Sequence, residues 1–179
     1  MFILFAIPVG LALGFVLGGR LDRLGALRFE WPWLAVAGLF VQVLLFSPLA
    51  SDRIDPRWGA AIYVASTGAV LVAVVRNLRV PGMGLVALGA LLNLAAVTAN
   101  GGIMPTTADA LAIAGLGEVE GFSNSAVLAD PALAPLTDIY ALPAWVPLAN
   151  VFSIGDVLIG LGIVVVIAFG MRVGGANRP

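Results

Sequence analysis

Few side chains in this chain have the chemistry for catalysis or ligand binding, and several of them stand around one long segment. Asn100 opens that segment and Asp156 closes it, while Asn93 falls seven residues before Asn100, two turns along the same helix face. Buried among apolar groups, Asp156 is a candidate proton donor or ion ligand. Together with Gln42, these residues predict a polar ligand-binding site.

Each of these residues also has a structural explanation. Ser153-x-x-Asp156 matches a capping box, in which Ser153 and Asp156 satisfy free amides at the start of a helix. Asn100-Gly101-Gly102 is typical of a helix end, because Asn and Gly tolerate the left-handed conformation. An Asn such as Asn93 inside a membrane helix more often bonds a neighbouring helix. Both readings stay open on the sequence alone.

Whole classes of chemistry are excluded by composition. The chain has no Cys, no His and no Lys. Disulfides, thiol nucleophiles, imidazole bases, Schiff bases and metal ligation through His or Cys are therefore impossible. We expect no cofactor and no metal, and any catalysis would fall to carboxylates, Arg, Tyr, Ser or Thr.

Composition also indicates the environment. Hydrophobic residues make up 61% of the 179 residues, charged residues make up 11%, and the mean hydropathy is +1.07. Soluble domains have about 45 to 50% apolar and about 25% charged residues. The chain is therefore expected to be an integral membrane protein. Its net charge of −1 offers no basic face to nucleic acid.

Apolar runs predict a single all-α membrane domain over residues 1–179, with five transmembrane helices. The predicted spans are about 1–19, 33–49, 59–75, 83–99 and 154–171. The first run is longer than a signal-peptide core and lacks a clear cleavage site, so it is expected to be a retained helix.

Arginine placement predicts the orientation, because short loops rich in Arg stay in the cytoplasm. One side of the predicted bundle collects Arg20, Arg23, Arg28, Arg76, Arg79, Arg172 and Arg178. The other side collects only Arg53 and Arg57. The N-terminus is expected outside and the C-terminus in the cytoplasm.

Glycines recur every four residues in the first span, at Gly10, Gly14 and Gly18. This spacing gives one helix face without side chains and lets another helix approach closely. The face is a candidate contact for a partner protein.

The outer segment, residues 100–153, is too long for a simple connector. It contains too many apolar residues to be disordered in water. Thr106-x-x-Asp109 predicts a helix over about 107–116, ended by Gly115 or Gly117. Trp145, between two prolines, suits the level of the lipid headgroups. We expect this segment to form a lid over the outer end of the bundle.

Three motifs carry a resemblance to a known family. They are Asn100-Gly101-Gly102-Ile103-Met104-Pro105, Leu136-Thr137-Asp138-Ile139, and the stretch from Asn150 to Ile159 that contains Phe152-Ser153-Ile154-Gly155-Asp156. With them the chain resembles a family of small bacterial membrane proteins known only as a domain of unknown function. The resemblance implies a bacterial inner-membrane location and the same topology, and it implies no activity.

The sequence therefore favours a non-enzymatic membrane protein that binds a lipid-like or isoprenoid molecule beneath its outer lid. The candidate ligand-binding residues are Asn93, Asn100, Asp156, Gln42 and Trp145. One alternative is an accessory subunit of a larger membrane complex, joined through Gly10, Gly14 and Gly18. Another is a carboxylate-dependent membrane enzyme, such as an isoprenoid cyclase that uses Asp156 or Asp138.

Overall fold

A computed structural model describes residues 2–47, 50, 53–117 and 125–173, and it is mostly helical, with 64% helix. Its α-helices are α1 (Ala6–Val16), α2 (Pro32–Leu45), α3 (Pro56–Arg76), α4 (Met83–Ala99), α5 (Ala108–Ala114) and α6 (Ile154–Val173). Its strands are β1 (Met104–Thr106), β2 (Ser125–Val127), β3 (Tyr140–Ala141) and β4 (Val151–Phe152). Short 3-10 turns cover Phe2–Phe5, Leu21–Ala26 and Ala134–Leu136.

Local sequence explains where the helices start and stop. The Asp55 carboxylate accepts a hydrogen bond from the Arg57 amide at 2.9 Å, and Pro56 fits the first helical position. α3 therefore begins three residues before the predicted residue 59. α1 ends at Val16 because Gly18 takes a positive φ of 75°.

Helix lengths differ from the predicted spans mainly at α1 and α2. The predicted segments 1–19 and 33–49 contain helices that end at Val16 and Leu45. α4 has the predicted bounds, and α6 continues two residues past 171. Met1, Pro48, Leu49, Ser51, Asp52 and Arg178 lie outside the described residues.

The five long helices pack as neighbours in the order α2, α3, α4, α6, α1. Glycines let the backbones of α4 and α6 approach closely: a Cβ on Gly162 would lie 2.7 Å from the Gly82 carbonyl oxygen. On the other side of α6, Gly10 and Gly14 are buried against Ile167 and Met171. α6 is thus held between α4 and α1.

The predicted glycine face of α1 is therefore divided. Gly10 and Gly14 contact α6 of the same chain, whereas a Cβ on Gly18 would meet nothing within 4 Å. The partner protein predicted for this face stays a prediction.

The outer segment folds into short elements that pack on one end of the helices. β1 pairs in parallel with β2, and β3 pairs antiparallel with β4. A bridge joins Thr106 to Asp138, and the turn Ala134–Leu136 contacts α4 and α6. Met104 is buried against Ala96 and Val97 of α4.

The helix predicted over about 107–116 is present as α5. Its N-cap is Thr107, whose hydroxyl accepts from the Ala110 amide at 3.1 Å, and it ends at Gly115 in the left-handed conformation. Thr106, the predicted cap, instead donates to the Asp138 carbonyl oxygen at 2.9 Å. The cap moves by one residue because the Thr106 hydroxyl is taken by this buried contact.

The two ends of the bundle are built differently. At the end that carries the outer segment, the rings of Phe2 and Phe152 stack with centroids 4.3 Å apart. At the opposite end, the Arg20 amide donates to the Met171 carbonyl oxygen at 2.8 Å, and Arg23 donates to the Arg172 carbonyl oxygen at 2.7 Å. Backbone and guanidinium donors thus satisfy the last carbonyls of α6.

Two of the described helices, α3 and α6, are long and apolar enough to cross a membrane by length and composition. α1 with its preceding turn, α2 and α4 are shorter apolar helices. Large apolar side chains are exposed on each of these five helices, among them Val9, Phe15, Val16, Trp33, Val36, Phe40, Val43, Trp58, Val72, Leu88, Leu91, Leu161 and Phe169.

Candidate functional site

Asn93, Ser153 and Asp156 form one hydrogen-bonded network where α4 meets the start of α6. The Asn93 side-chain amide donates to Asp156 Oδ1 at 2.7 Å. The Ser153 hydroxyl donates to Asn93 Oδ1 at 2.8 Å and accepts from the Asp156 amide at 3.0 Å. The Ser153 amide in turn donates to Asp156 Oδ2 at 3.3 Å. The predicted capping box is confirmed, with a third member contributed by α4.

Glycine makes this network possible. A Cβ on Gly155 would overlap Asn93 Oδ1 and would lie 2.8 Å from the Gly89 carbonyl oxygen. A Cβ on Gly89 would meet the Gly155 carbonyl oxygen. Because both positions lack a side chain, α4 and α6 approach closely enough for Asn93 to reach the first turn of α6.

Asp138 lies close to this network, in the outer segment. Its amide donates to the Pro105 carbonyl oxygen at 2.9 Å, and its own carbonyl accepts from the Thr106 hydroxyl at 2.9 Å. The residue is 8% exposed, and its Oδ1 is buried without a hydrogen-bond partner. A buried carboxylate oxygen without a donor is unusual, because its desolvation is not offset.

The electrostatics of Asp138 follow from this position. Burial, and then the nearby charge of Asp156, raise the pKa of Asp138 to about 7 from an ordinary 3.8. The Tyr63 phenol of α3 lies near enough to interact with the charges of both carboxylates. Three titratable groups, from α3, the outer segment and α6, therefore meet at this end of the bundle.

Asn100 is placed elsewhere and bonds main chain. Its side-chain amide donates to the Ala96 and Ala132 carbonyl oxygens, each at 2.8 Å. Its Oδ1 accepts from the Ala132 amide at 2.8 Å. Asn100 thus ends α4 and clasps the outer segment at Ala132, without a hydrogen bond to Asn93 or Asp156 in the described residues.

The two remaining predicted site residues also lie apart from the network. The Gln42 side-chain amide donates to the Thr67 hydroxyl at 3.1 Å, which joins α2 to α3. Trp145 is 83% exposed on the outer segment. Of the five predicted ligand-binding residues, the structure brings only Asn93 and Asp156 into direct contact. Ligand binding by the five residues stays a prediction.

Sequence reasoning did not include Asp138, Tyr63 or Ser153 in the predicted ligand site. Ser153 carries a signal, since its spacing from Asp156 predicts the cap of α6. The sequence indicates Asp138 only as an alternative catalytic carboxylate, because nothing local in Leu136-Thr137-Asp138 shows that a bridge to β1 buries it. Tyr63 stands in an apolar helix with no motif around it.

The site has limited capacity for metal. No three His, Cys, Asp or Glu side chains in the described part of the chain stand close enough together to hold a metal ion. Two carboxylates, an amide, a hydroxyl and a phenol can instead bind and exchange a proton.

A separate groove lies at the start of α3. It has a volume of about 370 Å³ and is lined by Asp55, Arg57, Trp58 and Ala61. Next to Ala61 in the chain, Ala60 contacts Gly102, so the beginning of the outer segment lies close to the groove.

The fold and the site together define a class: a mostly helical protein with two helices able to cross a membrane and a polar network covered by a folded segment at one end. Within this class, the chain belongs to the family of unknown function DUF5317, whose pattern matches residues 26–168. The match includes the outer segment, Asn93, Asp138 and Asp156. Curated proteins and solved structures give no match. The predicted membership in a family of unknown function is confirmed, while its motifs and bacterial origin stay predictions.

Proposed function

We propose that the protein is a five-span membrane protein that binds an amphipathic, lipid-like molecule at its outer face. The observation that carries the membrane part is the surface of the helices. Large apolar side chains are exposed on α1, α2, α3, α4 and α6, rather than on one patch. Exposing such a surface to water is unfavourable in free energy. Contact with lipid tails carries no such cost, because the tails are as apolar as the side chains.

Helix length is compatible with this arrangement. At about 1.5 Å per residue, α3 and α6 are about 30 Å long, which equals the hydrocarbon thickness of a typical bilayer. α2 and α4, with 14 and 17 residues, are about 21 and 26 Å long. Local thinning of the bilayer and interfacial residues accommodate such shorter helices.

The ends of the bundle support an orientation with the N-terminus outside. Described arginines at the end opposite the outer segment include Arg20, Arg23 and Arg76. Arg57 stands at the other end, at the start of α3. Under the positive-inside rule, this distribution supports an outer segment outside the cytoplasm.

The groove at the start of α3 fits the headgroup end of a lipid. Its volume of about 370 Å³ is within the range of about 300 to 1,000 Å³ found for ligand pockets. Arg57 supplies a cation for a phosphate, while the neighbouring Asp55 carboxylate already accepts a hydrogen bond from the Arg57 amide. Trp58, 71% exposed, supplies an apolar ring at the membrane level. The ligand chemistry is therefore an anionic phosphate group on an apolar tail.

Two neighbouring arginines allow a matched test. Arg57→Gln removes the cation that lines the groove, and Arg53→Gln removes one that does not line it. Both residues are exposed. The purified protein in detergent is titrated with phosphatidylglycerol, with a polyprenyl phosphate and with diacylglycerol, which has no phosphate, and binding is followed by native mass spectrometry.

We expect Arg57→Gln to weaken binding of one phosphate ligand about tenfold or more, because a hydrogen bond to a charged group contributes about 1.5 to 3 kcal/mol. Arg53→Gln should bind as the parent does. Tighter binding of the polyprenyl phosphate would identify an isoprenoid ligand, and tighter binding of phosphatidylglycerol a bilayer lipid. Equal loss in both variants, or equal binding of diacylglycerol, would refute the site.

A further inference from the structure

Asp138 occupies the seam between the outer segment and the helices. Its backbone bonds on both sides to β1, through the Pro105 carbonyl and the Thr106 hydroxyl. β1 is itself seated on α4 through Met104. Movement of Asp138 therefore disturbs its hydrogen bonds to β1, the strand through which the outer segment packs on α4.

The neighbouring carboxyl groups of Asp138 and Asp156 differ in how many hydrogen bonds they accept. Asp156 receives donors on both oxygens, from the Asn93 side-chain amide and the Ser153 amide. Asp138 Oδ1 is buried with no donor. The titratable groups facing Asp138 among the described residues are Asp156 of α6 and Tyr63 of α3, and neither is a cation.

We propose that Asp138 is a proton-binding latch: its protonated form keeps the outer segment seated on the helices, and its ionised form releases it. Two neighbouring, largely buried carboxylates repel each other, and the one without donors gains most from moving into water. A proton on Asp138 removes both penalties. The latch is independent of the proposed lipid site, and it would regulate access to this end of the bundle.

The pH window follows from the environment of the group. Because burial and Asp156 raise the pKa of Asp138 to about 7, the carboxyl group is protonated in mildly acidic solution and ionised in mildly alkaline solution. The seated form binds the proton more tightly than the released form, in which the pKa returns toward its ordinary value. Raising the pH through neutrality therefore favours release.

The absence of cysteine allows a clean measurement. Met104→Cys places a thiol at the buried contact between β1 and α4, and Ala129→Cys places one at an exposed position of the outer segment. Maleimide labelling rates of the two variants are measured at about pH 5.5 and about pH 8.5. In the released form both thiols are exposed, so the ratio of the two rates cancels the intrinsic pH dependence of an exposed thiol.

We expect the ratio of the Met104→Cys rate to the Ala129→Cys rate to rise on the order of tenfold between the two pH values, since each pH unit above the pKa changes the ionisation equilibrium tenfold. Asp138→Asn, which keeps the shape but cannot ionise, should hold the ratio low at both pH values. Asp130→Asn, at an exposed carboxylate of the same segment, should leave the rise unchanged.

A flat ratio in the parent background, or the same rise with Asp138→Asn, would overturn the latch. A second measurement needs no substitution at Met104. Infrared difference spectra should show the carbonyl band of a protonated carboxylic acid disappearing as the pH rises through neutrality, and Asp138→Asn should lack that band. Persistence of the band in Asp138→Asn would equally overturn the assignment.

Discussion

Gly155→Ala tests whether the close approach of α4 and α6 builds the Asn93–Ser153–Asp156 network. The added Cβ would overlap Asn93 Oδ1 and lie 2.8 Å from the Gly89 carbonyl oxygen. The Asn93 side chain can rotate away, but the carbonyl oxygen is backbone and can move only if the helices separate. Rotation of Asn93 would in turn break its bonds to Asp156 and Ser153.

The size of the effect can be worked out from these contacts. Overpacking costs about 1 to 3 kcal/mol. Two lost hydrogen bonds add about 0.5 to 1.5 kcal/mol each. Replacing a helical Gly by Ala returns up to about 1 kcal/mol. We therefore expect Gly155→Ala to lower the free energy of unfolding by about 1 to 6 kcal/mol.

Gly160→Ala is the matched control on the same helix. Its Cβ would lie 3.5 Å from Phe2 Cε1 and 3.9 Å from Ala6 Cβ, which are ordinary contacts. This variant should be neutral or stabilised by up to about 1 kcal/mol. Both variants are unfolded by titrating dodecyl sulfate into mixed detergent micelles, with helix content as the signal.

The double variant Asn93→Ala/Gly155→Ala separates the two parts of the effect. Removing the Asn93 side chain gives the new Cβ room on one side, so the double variant should be less destabilised than the sum of the single variants. If Gly155→Ala were as stable as Gly160→Ala, the tight α4–α6 contact would be wrong. Strict additivity would show that Asn93 and Gly155 do not meet.

The remaining predictions concern polar groups outside this network. Asn77→Ala should lower the free energy of unfolding by about 2 to 4 kcal/mol, because the buried Asn77 side chain makes three hydrogen bonds. Asn100→Ala should lower it by about 1 to 3 kcal/mol, because Asn100 is less buried. Unfolding in dodecyl sulfate measures both. Gln42→Leu should cost only about 0.6 kcal/mol in the same assay, the average for a hydrogen bond between membrane helices. Stability should fall as the pH rises from about 4 to about 7, by at most about 4 kcal/mol for three pKa units at Asp138, and Asp138→Asn should lose this contribution. A pH profile shared by parent and Asp138→Asn, or equal effects of Asn77→Ala and Gln42→Leu, would contradict this reasoning.

The features that sequence predicted best are those in which a few adjacent residues act on one another. The Ser153-x-x-Asp156 motif is predictable because it depends on local contacts alone. One helical turn brings the Ser153 hydroxyl to the Asp156 amide and the Asp156 carboxylate to the Ser153 amide. Gly115 likewise ends α5 by its own conformational freedom. The cap of α5 is Thr107 and not the predicted Thr106, because the Thr106 hydroxyl bonds the distant Asp138 carbonyl oxygen.

The parts that sequence did not predict depend on residues far apart in the chain. The partner of Asn100 is Ala132, thirty-two residues later, and it is bound through backbone atoms that leave no trace in the residue type. Burial of Asp138 depends on where β1 lies, and Asp138 itself looks like any acidic residue of an exposed loop. The helices α1 and α2 end at Val16 and Leu45, while the apolar composition of the predicted spans continues past those last hydrogen-bonded turns.

Asn77 and Asn100 show how this fold uses a polar side chain. Asn77 ends α3, donates to the Ala73 carbonyl oxygen at 2.7 Å, and exchanges two hydrogen bonds with the backbone of Glu30. Asn100 ends α4 and repeats the arrangement, with Ala96 in place of Ala73 and Ala132 in place of Glu30.

In both cases the asparagine amide donates to the carbonyl oxygen of an alanine four residues earlier. The same side chain also bonds the amide and the carbonyl of one distant residue, as a neighbouring strand would. Asn93 and Gln42 instead bond side chains of neighbouring helices, Asp156 of α6 and Thr67 of α3. Asp138 differs from all of these, because one buried carboxylate oxygen has no donor among the described residues. Among the described residues Asn150 Oδ1 is also buried without a partner, but of the two side chains Asp138 is the one that can carry a charge. Its oxygen therefore supports a role for the outer segment beyond covering the helix ends.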